Sequence, residues 1–131
     1  SVVWGAWVNP ETLPQWWGPE GFSCRTTRID LRTGGEWVFD RIGPDGKVYP
    51  NHHLYKEIRP QETVSYALLW GENGPKHADA WASFEDQGAE TRVTLGMVFT
   101  TQAEFQEAKC FGAVELGHQT LAKLERFIAS R

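Results

Sequence analysis

The predicted C-terminal helix of this 131-residue chain carries two side chains, Glu107 and His118, that could take part in acid–base chemistry. At 100° per residue, Glu107 and His118 fall on the same flank of that helix. A carboxylate that faces an apolar space has its pKa raised by desolvation, and a histidine near it titrates close to neutrality. Both residues are therefore candidates for contact with a bound molecule. The alternative is that Glu107 lies in water and His118 bonds to a strand residue.

A second set of candidates lies on the predicted strands. His53, Tyr55 and Tyr66 supply an imidazole and two hydroxyl groups that could orient a ligand, and large apolar residues could form a wall around it. Ordinary core packing is the alternative for all of them. The predicted ligand-binding residues are Trp37, Phe39, His53, Tyr55, Tyr66, Met97, Glu107, Phe111, Val114 and His118.

Motifs for metal binding and catalysis are incomplete. Glu115 and His118 form one ExxH pair, but a di-iron site needs a second pair and two more glutamates. His52 and His53 are adjacent on a strand and so point to opposite faces. His77, beside Gly74-Pro75, is predicted to lie in a loop. No HExxH, GxSxG or phosphate-loop motif occurs. We therefore predict no catalytic residue, no metal and no cofactor, and leave open whether the chain is an enzyme.

Composition narrows the class of partner. A net charge of -4 without a run of Lys or Arg argues against nucleic acid. Cys24 and Cys110 do not make a disulfide scaffold, so free thiols in a cytoplasmic protein are expected. No apolar run is long enough to span a membrane. The seven tryptophans are explained either by a core of large rings or by an aromatic pocket.

The strongest pattern is a long helix predicted from Thr101 to Ile128. Thr101 and Glu104 form a capping box, and no proline interrupts the run. Its inner stripe carries large aliphatic residues from Leu121 onward and small residues before that, so we expect any pocket to lie under the earlier half. The stripe is Ala103, Glu107, Cys110, Val114, Gly117, Leu121, Leu124 and Ile128.

Six β-rich runs separated by turn residues precede this helix. They cover 23–31, 36–42, 48–58, 63–70, 78–85 and 91–99, and two short helices are predicted at 1–8 and 10–17. Loops of hairpin length predict an antiparallel meander, which gives an α+β fold with a curved sheet around the long helix. Alternation predicts an inward set, although the run HHLYKEI fits either face. The set is Trp37, Phe39, Val64, Tyr66, Leu68, Ala80, Ala82, Phe84, Val93, Leu95, Met97 and Phe99.

Several motifs, in this order, resemble a known family. They are WWGPEGF, DLRTGGEWVFD, the turn PDG, YPNHHLYKEIRP and ELGHQTLAKL. Together they are similar to the family related to the C-terminal domain of the activator of the heat-shock protein 90 ATPase, within the START-like (SRPBCC) superfamily. The resemblance implies one helix-grip domain over 1–131, with a cavity between sheet and helix. It also implies an additional first strand, whose lack would leave a sheet edge open to a homodimer contact.

These observations predict a small domain that binds an apolar or aromatic molecule under the long helix, with no nucleic-acid or membrane partner. One alternative is a chaperone-associated interaction module, with its surface around Trp16, Trp17 and Trp81. Another is a cavity enzyme without a visible motif.

Overall fold

The computed structural model describes residues 2–88, 90–110 and 113–130, and at 107–110 and 113 it describes the backbone alone. Two short helices come first, α1 (Val2–Val8) and α2 (Leu13–Trp16). Six strands follow: β1 (Ser23–Asp30), β2 (Glu36–Ile42), β3 (Val48–Arg59), β4 (Thr63–Trp70), β5 (Lys76–Gln87) and β6 (Glu90–Phe99). Two helical segments end the chain, α3 (Gln102–Cys110) and α4 (Ala113–Ala129).

The strands form one antiparallel sheet in the order β1-β2-β3-β4-β5-β6. This confirms the predicted meander, and β2 and β4 have the predicted ends. Local turn chemistry explains the agreement. Gly46 and Gly71 have positive φ values of 84° and 79°, which glycine adopts without steric cost, in the turns that follow those two strands.

A β-bulge explains why the face of HHLYKEI could not be predicted. Tyr55 pairs with Tyr66 and Ile58 pairs with Val64, with a register shift between Tyr55 and Glu57. The bulge adds one residue to β3, so Ile58 returns to the face that holds Tyr55. We call this the inner face of the sheet, since it packs against the helices.

The core lies between the inner face and the N-terminal helices. The Trp7 ring contacts the ring of Phe84, with centroids 5.3 Å apart. The predicted inward set is buried or partly buried, except for Met97, which is 42% exposed near the end of the edge strand β6. Core residues from the helices are Trp4, Ala6, Trp7, Leu13, Trp16 and Leu124.

The predicted helix over Thr101–Ile128 is present as two segments, and 111 and 112 between them lie outside the described residues. Thr101 caps α3, since its Oγ1 accepts a hydrogen bond from the Glu104 N–H at 3.1 Å. Leu121 and Ile128 pack against the core, whereas Val114 is 78% exposed. The described part of α4 is therefore tightly packed only in its C-terminal half. In the described residues, no helix has both the length and the apolar character needed to cross a membrane.

Candidate functional site

His53 is the centre of a cluster of aromatic rings on the inner face. It lies on β3, opposite Trp37 of β2 and Leu68 of β4. Its imidazole is stacked on the ring of Tyr66, with centroids 4.8 Å apart, and meets the other rings edge-on. Those rings are Phe39 at 5.0 Å, Trp37 at 5.4 Å, Trp17 at 5.5 Å and Tyr55 at 6.3 Å.

Three residues of this aromatic cluster make no side-chain hydrogen bond to a described residue, whereas the Trp37 indole N–H donates to Thr26 Oγ1 at 3.1 Å. His53, Tyr55 and Tyr66 are 3%, 4% and 5% exposed, and no hydrogen bond of their imidazole or hydroxyl groups is present among the described residues. Buried polar side chains in folded proteins nearly always have a partner. These three residues therefore present unused donors and acceptors inside an apolar surface.

Burial keeps all three side chains uncharged at neutral pH. Desolvation lowers the pKa of His53 well below its ordinary value, and the nearby Arg41 charge lowers it further. Desolvation likewise raises the pKa values of Tyr55 and Tyr66 above the ordinary tyrosine value. The cluster is thus suited to orienting a molecule by neutral hydrogen bonds and ring contacts.

Next to the cluster, the inner face of β5 carries only small side chains. Ala78 and Ala80 lie between the rings on β3 and β4 and the edge strand β6. Tyr66 pairs with Ala80, and Ala80 pairs with Met97. Beyond the alanines, an open groove of about 370 Å³ separates the end of β6 from the start of α3. Its lining residues are Met97, Val98, Phe99, Thr100, Thr101, Gln102 and Phe105.

The structure brings together five of the ten predicted ligand-binding residues, namely Trp37, Phe39, His53, Tyr55 and Tyr66. Met97 lines the groove instead. Val114 and His118 are exposed and lie outside the buried cluster. The side chain of Glu107 and all of Phe111 lie outside the described residues. A binding role for these ten residues stays a prediction.

Three residues near the cluster were missed or misplaced by the sequence analysis. Arg41 follows Trp37 and Phe39 at a spacing of two, so alternation along β2 was a signal that could have found it. The loop prediction for His77 was wrong: β5 begins at Lys76, and His77 is buried with its ring stacked 3.7 Å from that of Trp70. The ladder continues past the Gly74-Pro75 signal, which marks only the turn.

Trp17 is the third, and a lysine of α4 helps to position it. The Lys123 ammonium donates hydrogen bonds to the backbone carbonyls of Trp17, Pro19 and Phe22, at 3.4, 3.2 and 2.9 Å. These bonds hold the irregular segment 17–22 over the end of the sheet, so that the Trp17 ring meets His53. Its neighbour Trp16 is 1% exposed, which contradicts the prediction that Trp16 belongs to a partner-binding surface.

The neighbouring His52 has a different environment on the outer face. Its Nδ1 accepts a hydrogen bond from the Asn73 N–H at 3.0 Å, so the proton lies on Nε2, which donates to Glu36 Oε1 at 2.8 Å. Arg28 donates to the second oxygen of Glu36 at 3.0 Å. Every polar group of this histidine has a partner, and its role is structural.

The model of the family described as Activator of Hsp90 ATPase homolog 1-like protein matches residues 1–129. The chain belongs to this family. Its six-stranded antiparallel sheet, C-terminal helical segment and short N-terminal helices fit the helix-grip fold predicted from the motif resemblance.

Solved structures with the same fold include three that align over nearly the whole chain of this family member. A protein from Nitrosomonas europaea has a TM-score of 0.86 at 24% identity, covering 98% of this chain and 86% of that chain. A protein from Arthrobacter aurescens has a TM-score of 0.88 at 20% identity, covering 99% of this chain and 79% of that chain. The AHSA1 protein from Silicibacter pomeroyi has a TM-score of 0.72 at 23% identity, covering 98% of this chain and 89% of that chain. Identities this low show the fold alone. None of the curated proteins compared matches the chain.

Proposed function

We propose that this protein binds an apolar or aromatic small molecule between the inner face of the sheet and the segment α3–α4. The observation that carries the proposal is that the polar groups of three largely buried residues, His53, Tyr55 and Tyr66, make no hydrogen bond to another described residue. The completely buried Arg41 Nε and His77 Nε2 also lack a partner among the described residues, and leaving a buried donor or acceptor unpaired costs about 1–3 kcal/mol. A bound molecule with one or two polar groups would satisfy them.

The small side chains of the inner face are consistent with the same proposal. Ala78 and Ala80 lie between the aromatic cluster and the groove at β6, although both are buried, at 0% and 5% exposure. Small-molecule sites are typically apolar concave surfaces with a few convergent polar groups. Proteins of the SRPBCC superfamily, to which this family is assigned, also commonly bind hydrophobic ligands.

The Hsp90-activator description of the family has no counterpart in the tryptophans that were predicted to form a partner surface. Trp16 is buried, Trp17 contacts His53, and the Trp81 ring covers Gly96 on the neighbouring strand. Packing accounts for Trp16 and Trp17, while Trp81 stays 39% exposed. We therefore propose small-molecule binding, and the chaperone-associated alternative stays a prediction.

Isothermal titration calorimetry with the neutral probe naphthaleneacetamide tests this proposal. We expect saturable binding to the native protein and at least a tenfold weaker affinity in Ala80→Phe, whose ring would occupy the inner face of β5 beside Tyr66. The control is Thr94→Phe, an exposed position on β6, which should bind like the native protein. Equal affinity in both variants would place binding elsewhere, and absence of any heat with the native protein would argue against the function.

A further inference from the structure

Arg41 is an isolated cation on the inner face. Apart from Asp86 at the exposed far end of β5, it is the only charged residue among the described inward-facing strand positions. It alternates with Trp37 and Phe39 on β2 and pairs with Cys24 of β1 and Tyr49 of β3. It therefore shares the face of the aromatic cluster, about 7 Å along the strand from Phe39.

No acidic group of the described chain neutralises this cation. Its guanidinium has no hydrogen bond or ion pair with another described residue. Its Nε is completely buried, while the residue as a whole is partly buried. The adjacent carboxylate, Asp40, points to the opposite face and pairs with Arg25 at 2.8 Å. The Arg41 guanidinium lies over the Phe22 ring, whose centroid is 5.8 Å from Cζ.

The groups near Arg41 are also uncharged at neutral pH. Desolvation raises the pKa of the Cys24 thiol to about 11, so it is not a thiolate there. Desolvation lowers the pKa of His77 to about 4 and that of His53 well below its ordinary value, and the Arg41 charge acts in the same direction on both. Burial lowers the pKa of Arg41 itself, as expected for a cation removed from water without a counterion.

Buried charges in proteins are ordinarily paired, because the loss of hydration is costly. Lys123, whose charge acts on Cys24, shows the usual solution, since three carbonyl oxygens accept hydrogen bonds from its ammonium. Arg41 lacks this solution, although it lies beside a surface suited to an apolar molecule.

We propose that the ligand of this protein is an amphipathic organic acid whose carboxylate pairs with Arg41 while its apolar body lies against Phe39, His53 and Tyr66. The proposal rests on the small-molecule binding function proposed above and adds the chemical class of the ligand. The planar guanidinium suits a carboxylate, because it can donate two parallel hydrogen bonds to the two oxygens. The uncharged hydroxyl and imidazole groups of the cluster would meet any polar group further along the ligand.

The test compares naphthaleneacetate with its uncharged isostere naphthaleneacetamide at pH 7.5 by calorimetry. We expect the native protein to bind the carboxylate at least about tenfold more tightly, the smaller end of the range for hydrogen bonds to charged groups. In Arg41→Met this preference should disappear while the amide still binds. Arg25→Met removes a paired cation from the outer face and should leave the preference unchanged.

The outcomes separate this inference from the function on which it rests. If the native protein binds both probes with equal affinity, the carboxylate proposal is wrong and small-molecule binding stands. If neither probe binds, the proposed function itself fails. The comparison of the two probes on the native protein needs no variant, so it decides the matter even if Arg41→Met does not fold.

Discussion

His52 and His53 are adjacent in the chain, and the difference between them separates the two faces of the sheet. His52 on the outer face is 1% exposed and has a partner for each ring nitrogen, the Asn73 N–H and the Glu36 carboxylate. His53 on the inner face is 3% exposed and has ring contacts but no hydrogen bond in the described part of the chain.

The same contrast extends across the sheet. On the outer face, cations and anions occur together: Arg28 with Glu36 and Glu72, and Lys56 and Lys76 with Asp79. On the inner face, the side-chain polar groups of His53, Tyr55 and Tyr66 have no hydrogen bond among the described residues, although Trp37 Nε1 donates to Thr26 Oγ1. Burial alone therefore does not mark a functional group. Burial without a partner does, because a protein selected only for stability would replace such a group with an apolar one.

The largest expected effect compares two tryptophans on opposite faces. Trp37 is fully buried and stacked on Phe39, so Trp37→Ala should lower the free energy of unfolding by about 3–5 kcal/mol. Trp81 is 39% exposed and covers Gly96, so Trp81→Ala should cost roughly 1–2 kcal/mol. Urea denaturation at pH 7.5 measures both. Equal losses would mean that the two faces contribute alike to the core.

A sharper comparison replaces each of the paired histidines with phenylalanine. His52→Phe leaves Glu36 Oε1 and the Asn73 N–H without the histidine as partner and should cost about 1–3 kcal/mol. His53→Phe removes a group with no hydrogen bond among the described residues and keeps a ring of similar size, so the free energy of unfolding should stay within about 0.5 kcal/mol or rise. The same denaturation curves apply. A loss in His53→Phe as large as that in His52→Phe would contradict the distinction between the faces.

The pH dependence of stability should come mainly from two buried histidines, His53 and His77. The folded-state pKa values of His53 and His77 lie below their unfolded values, so the unfolded chain takes up protons first as the pH falls. The free energy of unfolding should therefore decrease from pH 6.5 towards pH 4, by at most about 1.4 kcal/mol per pH unit for each histidine. Denaturation at pH 7, 6 and 5 measures the slope, which His53→Phe and His77→Phe should each reduce.

Glu36 and Asp79 should contribute little to the slope of stability between pH 7 and pH 5. The pKa values of Glu36 and Asp79 are lowered by their hydrogen bonds to cations, so their contribution is lost only below the ordinary range for carboxyl groups. A flat profile between pH 7 and 5 would show that the histidines are not held neutral by burial.

The smallest effect concerns two arginines. Arg25 pairs with Asp40 at an exposed site, so Arg25→Met should change the free energy of unfolding by at most about 1 kcal/mol. Arg41→Met removes a partly buried cation whose Nε has no partner among the described residues, and it should raise the free energy of unfolding by less than about 0.5 kcal/mol. Thermal melts of the ligand-free protein distinguish the signs, and destabilisation by Arg41→Met would mean that the cation has a structural partner.

Much of the fold could be predicted because its signals are local. Turn residues such as Gly43-Pro44-Asp45-Gly46 delimit the strands, and Thr101 caps α3 as the capping-box pattern predicts. The bulge after Tyr55 could not be predicted, since it depends on pairing with β4. The start of β5 was missed for the same reason.

Only those residues of the candidate site that lie on strands were placed correctly from the sequence. Alternation put Trp37, Phe39 and Tyr66 on one face, because a strand has one inward side. Helical periodicity could not show how far α4 lies from the sheet, so Val114 was placed on the inner stripe of the helix although it is 78% exposed. The place of Trp17 depends on a contact between its carbonyl and Lys123, more than 100 residues away in the chain, which no local pattern contains.

The most direct test of ligand binding on the inner face is a two-dimensional ¹H–¹⁵N spectrum of the tryptophan indoles, recorded while naphthaleneacetamide is added. We predict that the indole signals of Trp17 and Trp37, beside His53, shift and saturate, while that of Trp81 on the outer face does not move. Shifts confined to Trp81, or no shifts at all, would contradict a binding site on the inner face.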